Sequence, residues 1–171
     1  MRSKTWLIAW LFILPLAAAE AREQATVRKP FSVVEASIPE MRAALARRAV
    51  TSRELVLQYL ARIATYEDKF HAALTVNPHA LEEAEALDRE RALGRIRGPL
   101  HGIPIALKDN IHTADMPTTG GALAFDRLMP PYEATLTKNL RAAGAIIIAK
   151  TGDWLRKVGS HAERGKLGGR T

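Results

Sequence analysis

The sequence predicts an α/β protein whose mostly parallel sheet is flanked by helices. Three observations lead there: two compact apolar runs, Ile103–Leu107 and Ala145–Ala149; a helical stretch between them, from about Glu133 to Ala143; and further helical segments upstream. Strand, crossover helix and strand form a βαβ unit, whose strands are parallel and almost always connected right-handedly.

The elements follow in chain order. Ser37 with Glu40 three residues later reads as a capping box, and Pro39 falls in the first turn, where its missing N–H costs little. Met41, Ala44, Leu45 and Arg48 continue that helix. Thr51 and Glu54 repeat the capping arrangement before Leu55, Val56, Tyr59, Leu60 and Ile63 mark one apolar face at helical spacing. Ala72–Val76 is a short apolar run closed by Asn77-Pro78, which fits a buried strand ending in a turn. Leu81–Leu93, rich in Ala, Glu and Leu, returns to helix, and Gly94 can adopt the left-handed conformation that ends one. A long segment containing Pro117, Gly120, Gly121, Pro130 and Pro131 then separates the first strand of the βαβ unit from its helix, which Gly144 stops.

The first 21 residues stand apart. Arg2 and Lys4 precede an uncharged stretch, Trp6–Ala19, and Ala19-Glu20-Ala21 offers small residues around a cleavage point. That is the pattern of a signal peptide, and the stretch is short for a spanning helix, although an uncleaved membrane anchor is the alternative. Export to the periplasm or medium is the expected localisation, with the leader touching membrane in transit. The absence of cysteine fits that compartment and excludes disulfide frameworks, zinc ribbons and thiol nucleophiles.

The chain has 171 residues, 47% hydrophobic and 25% charged, which suits one globular domain and excludes disorder or collagen-like repeats. Its net charge of +7 favours anionic partners in general terms. Much of that charge lies in residues 152–171, where Arg156, Lys157, Arg164, Lys166 and Arg170 face only Asp153 and Glu163. A solvated basic tail and a contact with an anionic partner both fit this run. Only Trp154 could stack on a base, so there is no strong nucleic-acid signal.

No metal or cofactor is expected. The histidines His71, His79, His101, His112 and His161 show no metal-ligand spacing, and Gly120-Gly121 lacks a phosphate-cradle context. His101, beside Gly102 before the strand, fits a structural hydrogen bond. Lys108 stands out instead. Strand alternation puts Ile103, Ile105 and Leu107 on one face and Pro104, Ala106 and Lys108 on the other, delivering a lysine to a strand end where ligands collect in parallel sheets. The same pattern also fits a lysine whose stem packs while its ammonium reaches water.

Gly98-Pro99-Leu100-His101-Gly102-Ile103-Pro104-Ile105-Ala106-Leu107-Lys108-Asp109-Asn110 resembles the lysine motif of the amidase signature family of serine hydrolases. The likeness continues through Met116–Gly120, Ala134–Leu136, Leu140–Ala145 and Ile146–Thr151, and reaches back to the helical Thr51–Val56 and Tyr59–Ile63 segments. It implies hydrolysis of a small-molecule amide C–N bond by a Ser, cis-Ser, Lys triad in which Lys108 is the catalytic lysine. Such a base near neutrality needs its pKa lowered by roughly 3 units from ~10.4, which burial without a carboxylate partner supplies. Alternation aims the adjacent Asp109 away from it.

The leader pattern and the resemblance together give this organisation: signal peptide at 1–21, the N-terminal part of an amidase domain at 22–151, and a basic, non-matching tail at 152–171. The family's Gly/Ser-rich segment, with both serines and the oxyanion donors, lies further along than this sequence runs. Ser160 has no glycine-rich elbow around it and is not promoted to nucleophile. The expectation is therefore a truncated, inactive amidase fragment that self-associates through exposed apolar sheet. The alternative is an exported, non-enzymatic protein that binds anionic partners through its tail.

Overall fold

The computed structural model describes residues 30–152. The expected signal peptide and nearly all of the basic tail, with Trp154, Ser160 and His161, lie outside the described residues. Helix α1 spans Ile38–Ala46 and α2 spans Ser52–Phe70, each opened by the full capping box expected, Ser37 with Glu40 and Thr51 with Glu54. Strand β1 (Ala73–Val76), α3 (Ala80–Ala92), β2 (Pro104–Lys108), α4 (Thr135–Ala142) and β3 (Ile146–Thr151) follow.

The sheet has the order β1-β3-β2, with β3 in the middle. Strands β2 and β3 are parallel and joined through α4, which is the expected βαβ unit. Strand β1 pairs antiparallel with β3. The α/β class stands, and the described sheet is mixed, one parallel pair and one antiparallel pair. The short β1 arrives from the C-terminus of α2 through a tight left-handed turn at His71, which sends it back alongside β3 in the opposite sense.

Helices and sheet make layers. On one side Val56 of α2 and Ala80, Ala84 and Leu87 of α3 pack on Ile146, Ile148 and Ala149. On the other, Leu107, Ile147 and Met116 form a smaller cluster with Leu140 of α4 against it. A third cluster sets Met41, Ala44 and Leu45 of α1 against Leu55 and Ile103. At 25 cal/mol per Å² or so of apolar surface, each fully buried Leu or Ile contributes about 2 kcal/mol, so these clusters hold the layers together.

The β2–β3 ladder has one irregularity. Ile105 pairs with Ile147 but Ala106 pairs with Ala149, so Ile148 is an extra residue on β3. As a result Ile148 and Ala149, consecutive in sequence, both pack on the α2–α3 side. Beyond the bulge, Leu107 pairs with Lys150 and Lys108 with Thr151.

The helix starting at Ser52 receives a second cap from far away in sequence. Asp88 of α3 accepts hydrogen bonds from the N–H groups of Ser52 (2.8 Å) and Arg53 (3.0 Å), placing a carboxylate at the helix N-terminus. His101, 2% exposed, has the structural role expected: its Nε2 meets Leu87 O at 2.9 Å and its Nδ1 accepts from the Arg97 N–H at 3.2 Å. These two contacts assign the proton to Nε2.

Candidate active site

The C-terminal ends of the parallel pair carry two lysines on opposite faces. Lys108 ends β2 and lies on the face of Ala106, whereas its neighbour in the ladder, Lys150, shares the face of Leu107. Lys108 is exposed, and its Nζ donates to Gly152 O at 2.9 Å. Among the described residues, then, the apolar run does not itself bury this amine. The apolar run buries Ile103 and Leu107, but Ala106, which shares the face of Lys108, is itself exposed.

The lysine withdrawn from water is Lys150, fully buried. Its Nζ donates to Thr118 Oγ1 at 2.8 Å and to Pro117 O at 3.3 Å, with Asp109 Oδ1 at 3.9 Å. Burial holds its pKa below the ordinary value, and Asp109 and Asp115 pull it back up. Asp109, 2% exposed, turns to the loop as alternation implied: Oδ2 accepts from the Thr119 N–H at 3.0 Å and from the Thr119 hydroxyl. Its own N–H donates to Thr151 O at 3.0 Å, extending the β2–β3 ladder past Lys108.

The connection from Asp109 to α4 is therefore fastened at several points. Thr113 Oγ1 donates to Met116 O inside the loop, and Thr137 Oγ1 of α4 donates to His112 O at 2.8 Å. Arg141 of α4 pairs with Asp115, with Glu133 at 2.9 Å and with Glu83 of α3 at 3.3 Å. Burial alone would lower the pKa of this guanidinium, but the three carboxylates outweigh it and hold the value above the ordinary one.

On the Ala106 side an apolar groove of about 400 Å³ runs between α2 and the sheet. Tyr59, Ile63, Tyr66 and Phe70 form its helix wall, and Pro104, Ala106, Ile148, Ala149 and Thr151 its floor. Among the described residues no group of three or more histidine, aspartate or glutamate side chains is placed to hold a metal.

Sequence reasoning put Lys108 at a strand end, where it stands, and missed Lys150 and the loop contacts that bury it. The available signal was Lys150 itself, a charged residue closing the run Ile146–Ala149 in the middle of a parallel unit. Alternation alone could not assign its face, because the bulge at Ile148 reverses the parity.

The class these elements define is an α/β protein with a lysine at the end of the first strand of a βαβ unit and a pinned loop beside it. The amidase family model matches residues 54–153, and the chain belongs to that family. It is 38% identical over 138 residues to a glutamyl-tRNA(Gln) amidotransferase subunit of Streptomyces avermitilis, covering 80% of this chain and 28% of that protein. Among solved structures, the peptide amidase of Stenotrophomonas maltophilia matches with a TM-score of 0.66 and 42% identity, over 68% of this chain and 24% of that one. An amidase family protein of Bacillus anthracis matches at 0.65 and 29% identity, over 82% and 27%. The chain thus spans about a quarter of the length of these relatives.

Proposed function

We propose that this chain supplies the lysine-bearing part of an amidase that hydrolyses small-molecule amide C–N bonds, with Lys108 as the lysine of a Ser, cis-Ser, Lys triad. The observation that carries this is the position of Lys108: it matches the family's lysine motif, ends a parallel strand, and presents its amine outside the core. In the reaction a serine hydroxyl attacks the carbonyl, and the lysine acts through a bridging serine as general base and then as general acid toward the departing amine. Lys108 performs that step only with its amine neutral, so the remainder of an amidase domain, covering that amine, is part of the proposal. The two serines are assigned to that remainder of the domain, and residues 1–171 by themselves are proposed to be inactive. The residue pattern at 1–21 supports action outside the cytoplasm; an exported form that keeps Met1 at its N-terminus would count against cleavage there.

A serine-directed fluorophosphonate tests the assignment. The chain alone is expected to remain unlabelled, and adding a polypeptide that carries the rest of an amidase domain is expected to produce labelling and amide hydrolysis that both vanish in Lys108→Ala. Labelling of the chain alone that depends on Lys108 would show a local serine and overturn the inactivity. Hydrolysis by the assembled pair that survives Lys108→Ala would remove Lys108 from the triad.

A further inference from the structure

We propose that Lys150 and Asp109 are a positioning pair, which clamps the ends of β2 and β3 from the face opposite Lys108 and thereby fixes where the Lys108 amine stands. This rests on the reading of Lys108 as the triad lysine, and adds two residues that do not touch the reacting atoms.

The clamp has two layers. In the backbone, the Asp109 N–H donates to Thr151 O, so the residue after Lys108 is tied to the residue after Lys150. In the side chains, the Lys150 ammonium holds Thr118 Oγ1 and Pro117 O while Asp109 holds Thr119, which brings the loop under the strand ends. Both members are almost wholly withdrawn from water. Asp109 Oδ1 has no hydrogen-bond partner among the described residues, and the ammonium 3.9 Å away is what balances its charge. A buried carboxylate so placed becomes costly when its cation is removed, and the loop it carries is released with it.

Lys108 lies between these fastened points. Its Nζ reaches Gly152 O, two residues beyond Lys150, and its backbone is paired with Thr151. The amine is therefore set by the same stretch of β3 that Lys150 anchors. Because Lys150 projects from the other face, it fixes the strand ends without occupying the side from which Lys108 acts.

The test reads the amine of Lys108 directly. The chain is treated with a limiting amount of an amine-acylating reagent, and modification of Lys108 is measured by peptide mass spectrometry relative to Lys138, an exposed lysine on α4. In Lys150→Met and in Asp109→Asn the Lys108/Lys138 ratio is expected to rise by about threefold or more, the size of effect typical of coupled neighbours. Leu87→Ala, a comparable destabilisation in the α2–α3 layer, is expected to leave the ratio unchanged. An unchanged ratio in a folded Lys150→Met or Asp109→Asn chain, or an equal rise in Leu87→Ala, would overturn the proposal. Failure of both clamp variants to fold would assign the pair to stability alone and overturn it equally. The ratio needs no turnover, so it succeeds or fails independently of the serine-labelling experiment.

Discussion

Replacing Gly144 by alanine should destabilise the fold far more than the same change at Gly94, although both glycines terminate helices with positive φ. Gly144 has φ +88 and Gly94 has φ +73, so an added Cβ meets the same backbone penalty in each, roughly 1–2 kcal/mol. Their surroundings differ. A Cβ on Gly94 meets nothing within 4 Å, whereas on Gly144 it would lie 2.6 Å from His101 Cα and 3.0 Å from His101 Cβ. His101 has little freedom to yield: its N–H donates to Gly98 O, its carbonyl accepts from Arg91 Nη2 at 2.7 Å, and both ring nitrogens are engaged. Gly144 is held too, since its carbonyl accepts the Gly102 N–H at 2.8 Å.

Forcing these backbones apart adds an overpacking cost of about 1–3 kcal/mol, giving about 2–5 kcal/mol at Gly144 against about 1–2 at Gly94. Against a domain stability on the order of 5–15 kcal/mol, the Gly144→Ala chain should melt well below the native one. Urea unfolding of the two variants, followed by circular dichroism, measures the difference. Equal losses in both would refute the reasoning, because they would mean that the left-handed backbone alone sets the cost.

Two further outcomes concern Asp88 and the buried Lys150. Asp88→Ala should cost about 1–2 kcal/mol, since it removes the acceptors of two helix-start N–H groups and the Ser52 amide lies in a residue with no exposure; a loss under about 0.5 kcal/mol in urea would show that α2 does not depend on this cap. The difference in stability between the native chain and Lys150→Met should shift in favour of the native chain as pH rises from the lowered folded pKa of Lys150 toward the ordinary lysine value of 10.5, because there the unfolded chain binds the proton more tightly. Below the folded value the difference should be flat, and a difference that falls through the upper window in pH-resolved denaturant melts would contradict the direction of the shift.

What is legible in the sequence is what is local. The capping boxes at Ser37 and Thr51 span three residues each and form as read, because donor and acceptor are brought together by the first helical turn itself. The βαβ unit is equally legible, since its apolar runs and its helix follow one another along the chain. The Asp88 cap is not, because it joins residues 36 apart in the chain through the packing of α3 on α2. The antiparallel pairing of β1 escapes for a related reason: four residues with a mixed burial pattern carry no mark of a partner strand that follows two further helices and another strand. At the candidate site, the motif locates Lys108 but its neighbourhood does not follow. The partners of Lys150 come from a loop 32 and 33 residues earlier, and their meeting depends on the register of a sheet that no single segment encodes.

That register makes the extra residue at Ile148 a phase shift written into the central strand. Before it, Ile147 stands on the face shared with Leu107 and Met116; after it, Lys150 stands there, three positions on instead of two or four. A substitution at Ile148 changes how well one layer packs, which is a graded effect. Straightening the strand with every residue kept is different in kind: a regular ladder would exchange Lys150 and Thr151 between the two sides of the sheet, turning an ammonium out of its dry seat and a threonine into it. The strand therefore tolerates change in composition at Ile148 as long as the bulge itself is kept. For this sheet the irregularity at Ile148, more than the side chain it carries, keeps the Lys150 ammonium on the dry side.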